Sequence, residues 1–316
     1  MLILEPKDPV SVGQPKSLIL IFGLGLIGTF VYRSLLASGF SQAQKLSYSW
    51  TEPKAWNGEI KSFETYLTKT IKSQDLGRID FVWAAGKGGF MSAKEDFENE
   101  FTAYSKILNF CQSLDKKYAH IQLSFHLLSS LGGLYEGQTN VTSASQAAPQ
   151  RPYGFAKLRQ EQALHELDPS IRKYVYRPSS VYGYTGPTGR VGLIVALLKN
   201  ALRNQVTTIF GLPHTLRDYV LSDDIGRFVA AKVLHPEIQD KNFHLASAKP
   251  TTILEVIRDV EKIFDRKILC NFKFDTGNAL NNTFAPETYD GLWDPVNLSI
   301  GITSTHRKIL QDYVSG

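Results

Sequence analysis

Tyr153-Gly-Phe-Ala-Lys157 is the stretch of this sequence whose residue types and spacing carry the most chemistry. Residues four apart on a helix share a face, so the Tyr153 phenol and the Lys157 ammonium project together. A free tyrosine has a pKa of about 10, and a neighbouring positive charge stabilises its phenolate. Such a pair is an acid/base usable nearer neutrality than a lone phenol. The same spacing also arises on ordinary solvated helix faces. What sets this pair apart is its company: an apolar run ending in Ser129 and Ser130 precedes it, and a glycine-rich turn lies near the N-terminus.

That turn is Gly23-Leu-Gly25-Leu-Ile-Gly28, a G-x-G-x-x-G spacing fed by an apolar strand over 17–22 and followed by a helix over 29–38 that ends at Gly39. Strand, turn and helix in this order form the context a dinucleotide site requires. Gly23 permits the sharp turn, and Gly25 lets a pyrophosphate approach the backbone. Gly28 lets the helix pack close on its strand, with its N-terminus aimed at the phosphates. The plainer alternative is a βα turn that binds nothing. A second strand is expected over 45–50, and an acidic residue at its end would hold the ribose 2′-hydroxyl of NAD. Ser49 and Trp50 stand there instead, with Glu52 and Lys54 nearby, which leans the cofactor toward NADP.

Further along, a helix is expected over 63–72 and a strand over 78–83. The latter runs into Ala84-Ala85-Gly86, small residues that admit the middle of a dinucleotide or form an ordinary glycine loop. A long helix over 95–114 places Phe97, Phe101, Tyr104, Ile107, Leu108 and Cys111 at core spacing. A strand over 119–128 ends at the two serines. This alternation predicts an α/β fold, a Rossmann-type doubly wound parallel sheet whose turns open on the carboxyl edge. A polar loop over 139–152 would cover that crevice before the Tyr153 helix, which runs to about 167.

Composition bounds the partners. The chain has 316 residues, 43% hydrophobic and 21% charged, with a formal charge of +5 and no basic run. That disfavours nucleic acid and suits a modestly positive cleft for an anionic small molecule. Its two cysteines, Cys111 and Cys270, lack metal-type spacing and read as thiols in a reducing compartment. No histidine, His126, His214 and His244 included, pairs at metal-ligand spacing, so no metal is expected. No apolar stretch reaches the roughly 18–20 residues of a membrane span. The expected location is the cytoplasm, with residues 1–16 an extension crossing the surface.

The order of these motifs resembles the extended short-chain dehydrogenase/reductases, the family of nucleotide-sugar epimerases, dehydratases and reductases. Beyond Tyr153-x-x-x-Lys157 the resemblance continues in Arg177-Pro-Ser-Ser-Val-Tyr-Gly183 and in Arg217-Asp-Tyr-Val220 with Asp223-Asp224, covering 17 to about 230. It implies that Tyr153 exchanges the proton of a sugar hydroxyl while Lys157 bridges the nicotinamide ribose. Ser129 or Ser130 would hydrogen-bond the reacting oxygen. It further implies cofactor contacts from Gly23, Gly25, Leu26, Ile27, Gly28, Ser49, Trp50, Ala84, Ala85, Gly86, Pro178 and Val181, with hydride passing to or from a nicotinamide. Ser180 would lie near a nucleotide-diphosphate sugar, and Arg217, with Arg190 as a second candidate, would bind its diphosphate. A surface ion pair of Arg217 with Asp218 is the competing reading. The paired acids of a 4,6-dehydratase are missing, which leaves an epimerase or a reductase, or a non-catalytic NAD(P)-binding regulator on the same fold. The resemblance also implies a homodimer through the helices that begin at Glu95 and Tyr153.

Residues 17–176 are thus expected to form the dinucleotide-binding domain and 177–316 a smaller, mixed substrate-binding part, with the chain crossing back to the sheet around 206–247. In that second part an apolar helix is expected over 191–203, strands over 207–211, 218–221 and 243–247, and a helix over 252–264. Asp223 and Asp224 would cap a helix opening at Ser222. The last fifty residues read as irregular before a final helix near 304–314.

Overall fold

The computed structural model describes residues 1–7, 16–49, 52, 54–86, 94–189, 191–275, 278, 280–287, 289 and 291–315. Trp50 and Arg190 lie outside these described residues. In chain order the elements are β1 (Leu2–Pro6), β2 (Lys16–Phe22), α1 (Leu26–Ala37), β3 (Phe40–Lys45), α2 (Trp56–Ser73) and β4 (Leu76–Trp83). Then come α3 (Lys94–Lys117), β5 (Gln122–Leu128), α4 (Leu131–Leu134), α5 (Pro152–His165), β6 (Arg172–Pro178), β7 (Ser180–Tyr182) and α6 (Leu193–Leu202). The chain continues through β8 (Thr207–Phe210), β9 (Leu216–Arg217), β10 (Tyr219–Leu221), α7 (Ser222–Leu234) and β11 (Lys241–Leu245). It finishes with β12 (Thr251–Thr252), α8 (Ile253–Phe264), β13 (Cys270–Lys273) and α9 (Leu298–Ser315).

One seven-stranded sheet, ordered β11-β6-β5-β4-β2-β1-β3, organises the molecule. Strands β2, β4, β5, β6 and β11 pair in parallel, whereas β1 is antiparallel to both of its neighbours. The parallel strands read as continuous apolar runs because both faces of the sheet are covered. One layer packs α2, α3 and α5 through Phe63, Leu67, Tyr104, Ile107 and Leu164. The other packs α1 and α7 through Val31, Leu35, Phe228 and Val233. A third cluster joins α6, α8 and α9 into the smaller part of the molecule.

Several expectations need correction. Residues 2–6 are not a surface extension: Leu2, Ile3 and Leu4 are buried, and β1 is inserted between β2 and β3. The second strand comes earlier than 45–50. Its sequence FSQAQK buries only Phe40, as a polar edge strand can, so it carries no apolar alternation to read. Asp223 and Asp224 do not cap α7. Asp224 accepts from the Val296 N–H (2.9 Å) and pairs with Arg227, while Asp223 pairs with Lys308 on α9. Within the range 206–247 expected for the crossing back, β11 is the strand that joins the main sheet, and β8, β9 and β10 pair in separate two-stranded sheets. The last fifty residues include β13 and the full length of α9. No helix among the described residues is long and apolar enough to cross a membrane.

The buried charged groups Asp80 and Glu161 and the buried His126 have partners. His126 contacts the Tyr176 hydroxyl (2.8 Å) and Asp80 (3.4 Å), and Arg78 donates to Asp80 (2.8 Å). Arg177 makes two hydrogen bonds to the Glu161 carboxylate (3.0 and 2.6 Å) and reaches Tyr135 and His244. Burial first, then the Arg177 guanidinium, lowers the His244 pKa to about 4. Between the unfolded value of about 6.5 and that depressed value, the unfolded chain binds a proton that the folded chain refuses. The His244 contribution is therefore intact above pH 6.5 and is lost as the pH falls toward 4. We expect the melting temperature to drop over this window, and His244→Gln to flatten the drop by an amount on the order of 2–3 kcal/mol, read from thermal melts at stepped pH.

Candidate active site

The glycine turn between β2 and α1 is packed backbone against backbone. Gly23 has φ +91°, and a Cβ there would lie 2.5 Å from the backbone of Ala85. A Cβ on Gly28 would lie 1.9 Å from the Gly23 carbonyl oxygen and 3.1 Å from Ala84 Cβ. A Cβ on Gly25, by contrast, would meet nothing within 4 Å, so the surface above the turn is open. Gly25 is the N-cap of α1, with no side-chain cap and no acidic residue in the first turn. Leu26 and Ile27 begin the helix and are half-buried. Free N–H groups at an uncapped helix start form an anion cradle.

Beside it, at the end of β4, half-buried Ala84 and buried Ala85 lead to Gly86, whose φ is +154°. Below Gly86 sits a carboxylate that the sequence did not advertise. A Cβ on Gly86 would meet the two Glu100 oxygens at 3.0 and 3.3 Å. Glu100 accepts from Gln160 Nε2 (3.2 Å), and Gln160 Oε1 accepts from Lys157 Nζ (3.0 Å). Lys157 also donates to the Leu128 carbonyl (3.2 Å). Tyr153 is half-buried at the start of α5, against Phe97 of α3 (6.3 Å between rings) and against Gly133 of α4. Helices α3 and α5 therefore bring the tyrosine and lysine to the carboxyl edge of the sheet.

The serines differ. Ser130 Oγ caps α4 by accepting from the Gly133 N–H (3.1 Å). Ser129 Oγ is buried with no partner among the described residues. Pro178 ends β6, and Ser180 and Val181 lie on β7, where the Ser180 N–H donates to the Asp218 carbonyl (2.9 Å). Arg217 does not pair with Asp218. Its guanidinium donates to the carbonyls of Leu216, Asn278 and Leu280, and burial lowers its pKa. Asp218 is taken by Ser179 (2.5 Å) and by Ser247, through its N–H (2.8 Å) and hydroxyl (2.9 Å).

Glu59 also escaped sequence reading. From the first turn of α2 its carboxylate accepts from the Ser49 N–H (3.0 Å) and the Ser47 hydroxyl (2.8 Å). An acidic group from α2 thus stands beyond the end of β3, where the sequence reading had Ser49 and Trp50 with Glu52 and Lys54 nearby. Sequence spacing misses it because α2 reaches back over the strand end.

Residues 19–246 match the family model of the NAD-dependent epimerases and dehydratases. The chain belongs to that family. Its members are enzymes of the extended short-chain dehydrogenase/reductase type. Among the family's relatives, the uncharacterized UDP-glucose epimerase YtcB of Bacillus subtilis is 26% identical over 230 residues, 70% of this chain and 71% of its own length. The crystal structure of UDP-glucuronic acid 4-epimerase from Bacillus cereus, in complex with UDP-glucuronic acid and NAD, superposes with a TM-score of 0.71 at 24% identity, covering 93% of this chain and 99% of that one. UDP-glucose 4-epimerase from Thermotoga maritima, with UDP-glucose, superposes with a TM-score of 0.70 at 19% identity, covering 93% and 98%. Those superpositions show the shared Rossmann-type fold.

The residues present fit the family's cofactor. The turn is closed where Gly23 and Gly28 meet backbone and open above Gly25, the one place where a pyrophosphate must approach. Gly28→Ala is expected to force the turn apart, lowering the melting temperature by several degrees and weakening NAD binding at least tenfold, an order-of-magnitude expectation for overpacking a tight contact. Calorimetric melts and isothermal titration check both, and a variant that binds NAD as the natural chain does would count against the cradle.

Proposed function

We propose that the protein is an NAD-dependent epimerase of a nucleotide-diphosphate sugar, with a UDP-sugar as the substrate class. The observation that carries the reading is the Tyr153–Lys157 pair on α5, at the same sheet edge as the open glycine cradle. The relatives named for UDP-glucose and UDP-glucuronic acid epimerases support the substrate class.

In this reading Tyr153 removes the proton of the sugar hydroxyl as that carbon is oxidised, and returns it when the carbon is reduced from the other face. Lys157 stabilises the Tyr153 phenolate by its charge. Ser129 or Ser130 donates a hydrogen bond to the reacting oxygen; the Ser130 O–H keeps its proton for this even while its oxygen accepts from Gly133. When bound, NAD supplies the acceptor and donor of hydride, with no net consumption. Pro178 and Val181 would flank the nicotinamide, and Ser180 would face the sugar. Arg217 would face the diphosphate, whose oxygens would replace the carbonyls it now holds. The exposed flanks of α3 and α5, where Phe155 stands out to solvent, would form the interface of a homodimer.

Glu59 favours NAD over NADP. A carboxylate at the end of β3 repels a 2′-phosphate and accepts a hydrogen bond from a 2′-hydroxyl. Its place beside the end of β3 supports NAD over the NADP expected from the sequence, and an epimerase over a reductase.

Two measurements test the reading. The purified chain incubated with UDP-glucose or UDP-glucuronic acid and NAD is expected to yield the 4-epimer, followed by chromatography of the nucleotide sugars. Tyr153→Phe should lower kcat by about 10²–10⁴-fold while the Kd for NAD stays within about twofold. Conversion undiminished in that variant would remove Tyr153 from the mechanism. Separately, Glu59→Gln should narrow the preference for NAD over NADP by about fivefold, near 1 kcal/mol for a partly exposed charge. NADP bound more tightly than NAD by the natural chain would return the cofactor to NADP, and an NAD preference left unchanged by Glu59→Gln would remove the role of Glu59.

A further inference from the structure

Among the described residues Glu100 is a buried carboxylate in no direct ion pair, with the nearest linked ammonium, Lys157, reached only through Gln160. It is 7% exposed, and its hydrogen bond comes from the neutral Gln160 amide. Glu161, also buried on the facing helix, is answered by two hydrogen bonds from Arg177. An ionised carboxylate taken out of water without a partner is costly, so such groups are matched by a positive charge. Two features adjoin Glu100. Lys157 is one amide away through Gln160, and the Gly86 backbone at the dinucleotide turn lies directly against its oxygens.

We propose that Glu100 is the counter-charge for the oxidised nicotinamide and that, held to Lys157 through Gln160, it makes the site prefer NAD⁺ to NADH. This rests on the reading of the site as an NAD-binding one. The oxidised ring carries a positive charge and the reduced ring is neutral, while adenosine, riboses and diphosphate are the same in both. A nearby carboxylate repels the diphosphate in both forms alike, and that repulsion cancels in their ratio, which leaves the charge of the ring as the difference on which the carboxylate acts. In an epimerase this bias keeps the resting site loaded with the form that can accept hydride. Glu100 acts by charge, without touching the substrate, and is a positioning residue.

The test is the ratio of the Kd values for NADH and NAD⁺, measured by titration calorimetry on the full chain. Glu100→Gln removes the charge at nearly constant shape, and Glu100→Asn removes it a second way should the first variant not fold. Either is expected to weaken NAD⁺ and shift the ratio toward NADH by about fivefold or more, with NADH itself changed less. Glu98→Gln on the exposed side of the same helix, where Glu98 pairs with Arg159, should leave the ratio within about twofold. A ratio unchanged in the Glu100 variants, or moved equally by Glu98→Gln, overturns the proposal. If the natural chain binds neither cofactor form, the NAD-binding reading fails, and the proposal with it. Binding of both forms with an unmoved ratio removes only the role of Glu100.

Discussion

Contact between bare backbones sets the geometry of the carboxyl edge. The glycine turn rests on Ala85 at a distance that admits no side chain on Gly23, and α1 rests on the turn at a distance that admits none on Gly28. The acid/base half of the site is built the same way: a Cβ on Gly154 would lie 2.1 Å from the Gly133 carbonyl oxygen, so α5 closes on α4. Packed interiors transmit such constraints because they have no slack to absorb them. The turn after β2, the turn after β4 and the start of α5 are thereby fixed relative to one another before any ligand arrives.

Much of this was legible in the chain because it depends on local pattern. Apolar runs of strand length, glycines at fixed offsets and the spacing from Tyr153 to Lys157 are properties of short stretches. What escaped was non-local or unpatterned. The edge strand β3 is polar, and Leu2-Ile-Leu4 is too short a run to declare its place inside a sheet. The contact of Arg217 with the carbonyl oxygens of Asn278 and Leu280, in place of an ion pair with Asp218, spans more than sixty residues of sequence. Glu59 and Glu100 lie on helices among other acidic residues. Helical spacing puts Glu100, three residues after Phe97 and four before Tyr104, on the inward face and Glu98 off it, but only the packing of α3 on α5 shows what the Glu100 carboxylate meets there.

The buried charges sort by what surrounds them. Asp80 has Arg78 and His126, and Glu161 has Arg177; both sets lie within the sheet or its supports, where a missing partner would destabilise the fold. Glu100 stands at the edge, beside the glycines that leave room for a ligand. A carboxylate in no direct ion pair among the described residues, at that edge, belongs to the site rather than to the scaffold.

The inserted strand bears on the adenosine end of the cleft in the same physical way. Because β1 separates β2 from β3, the end of β3 lies about 4.8 Å farther from the glycine turn than if the two strands were neighbours. A side chain at the end of β3 itself would be displaced outward by that distance. Glu59 comes instead from α2, and its seat is braced: Tyr48 packs among Phe22, Phe63 and Trp83, and the Trp56 indole donates to the Ser49 carbonyl. The Tyr48 hydroxyl is tied in turn to Ala103 of α3 (2.6 Å). The segment after β3 is thus held by the same aromatic core that packs beneath the end of β4. The inserted strand and the carboxylate supplied by α2 stand on the same side of the glycine turn and are compatible parts of one edge, because the core under them fixes where each can stand.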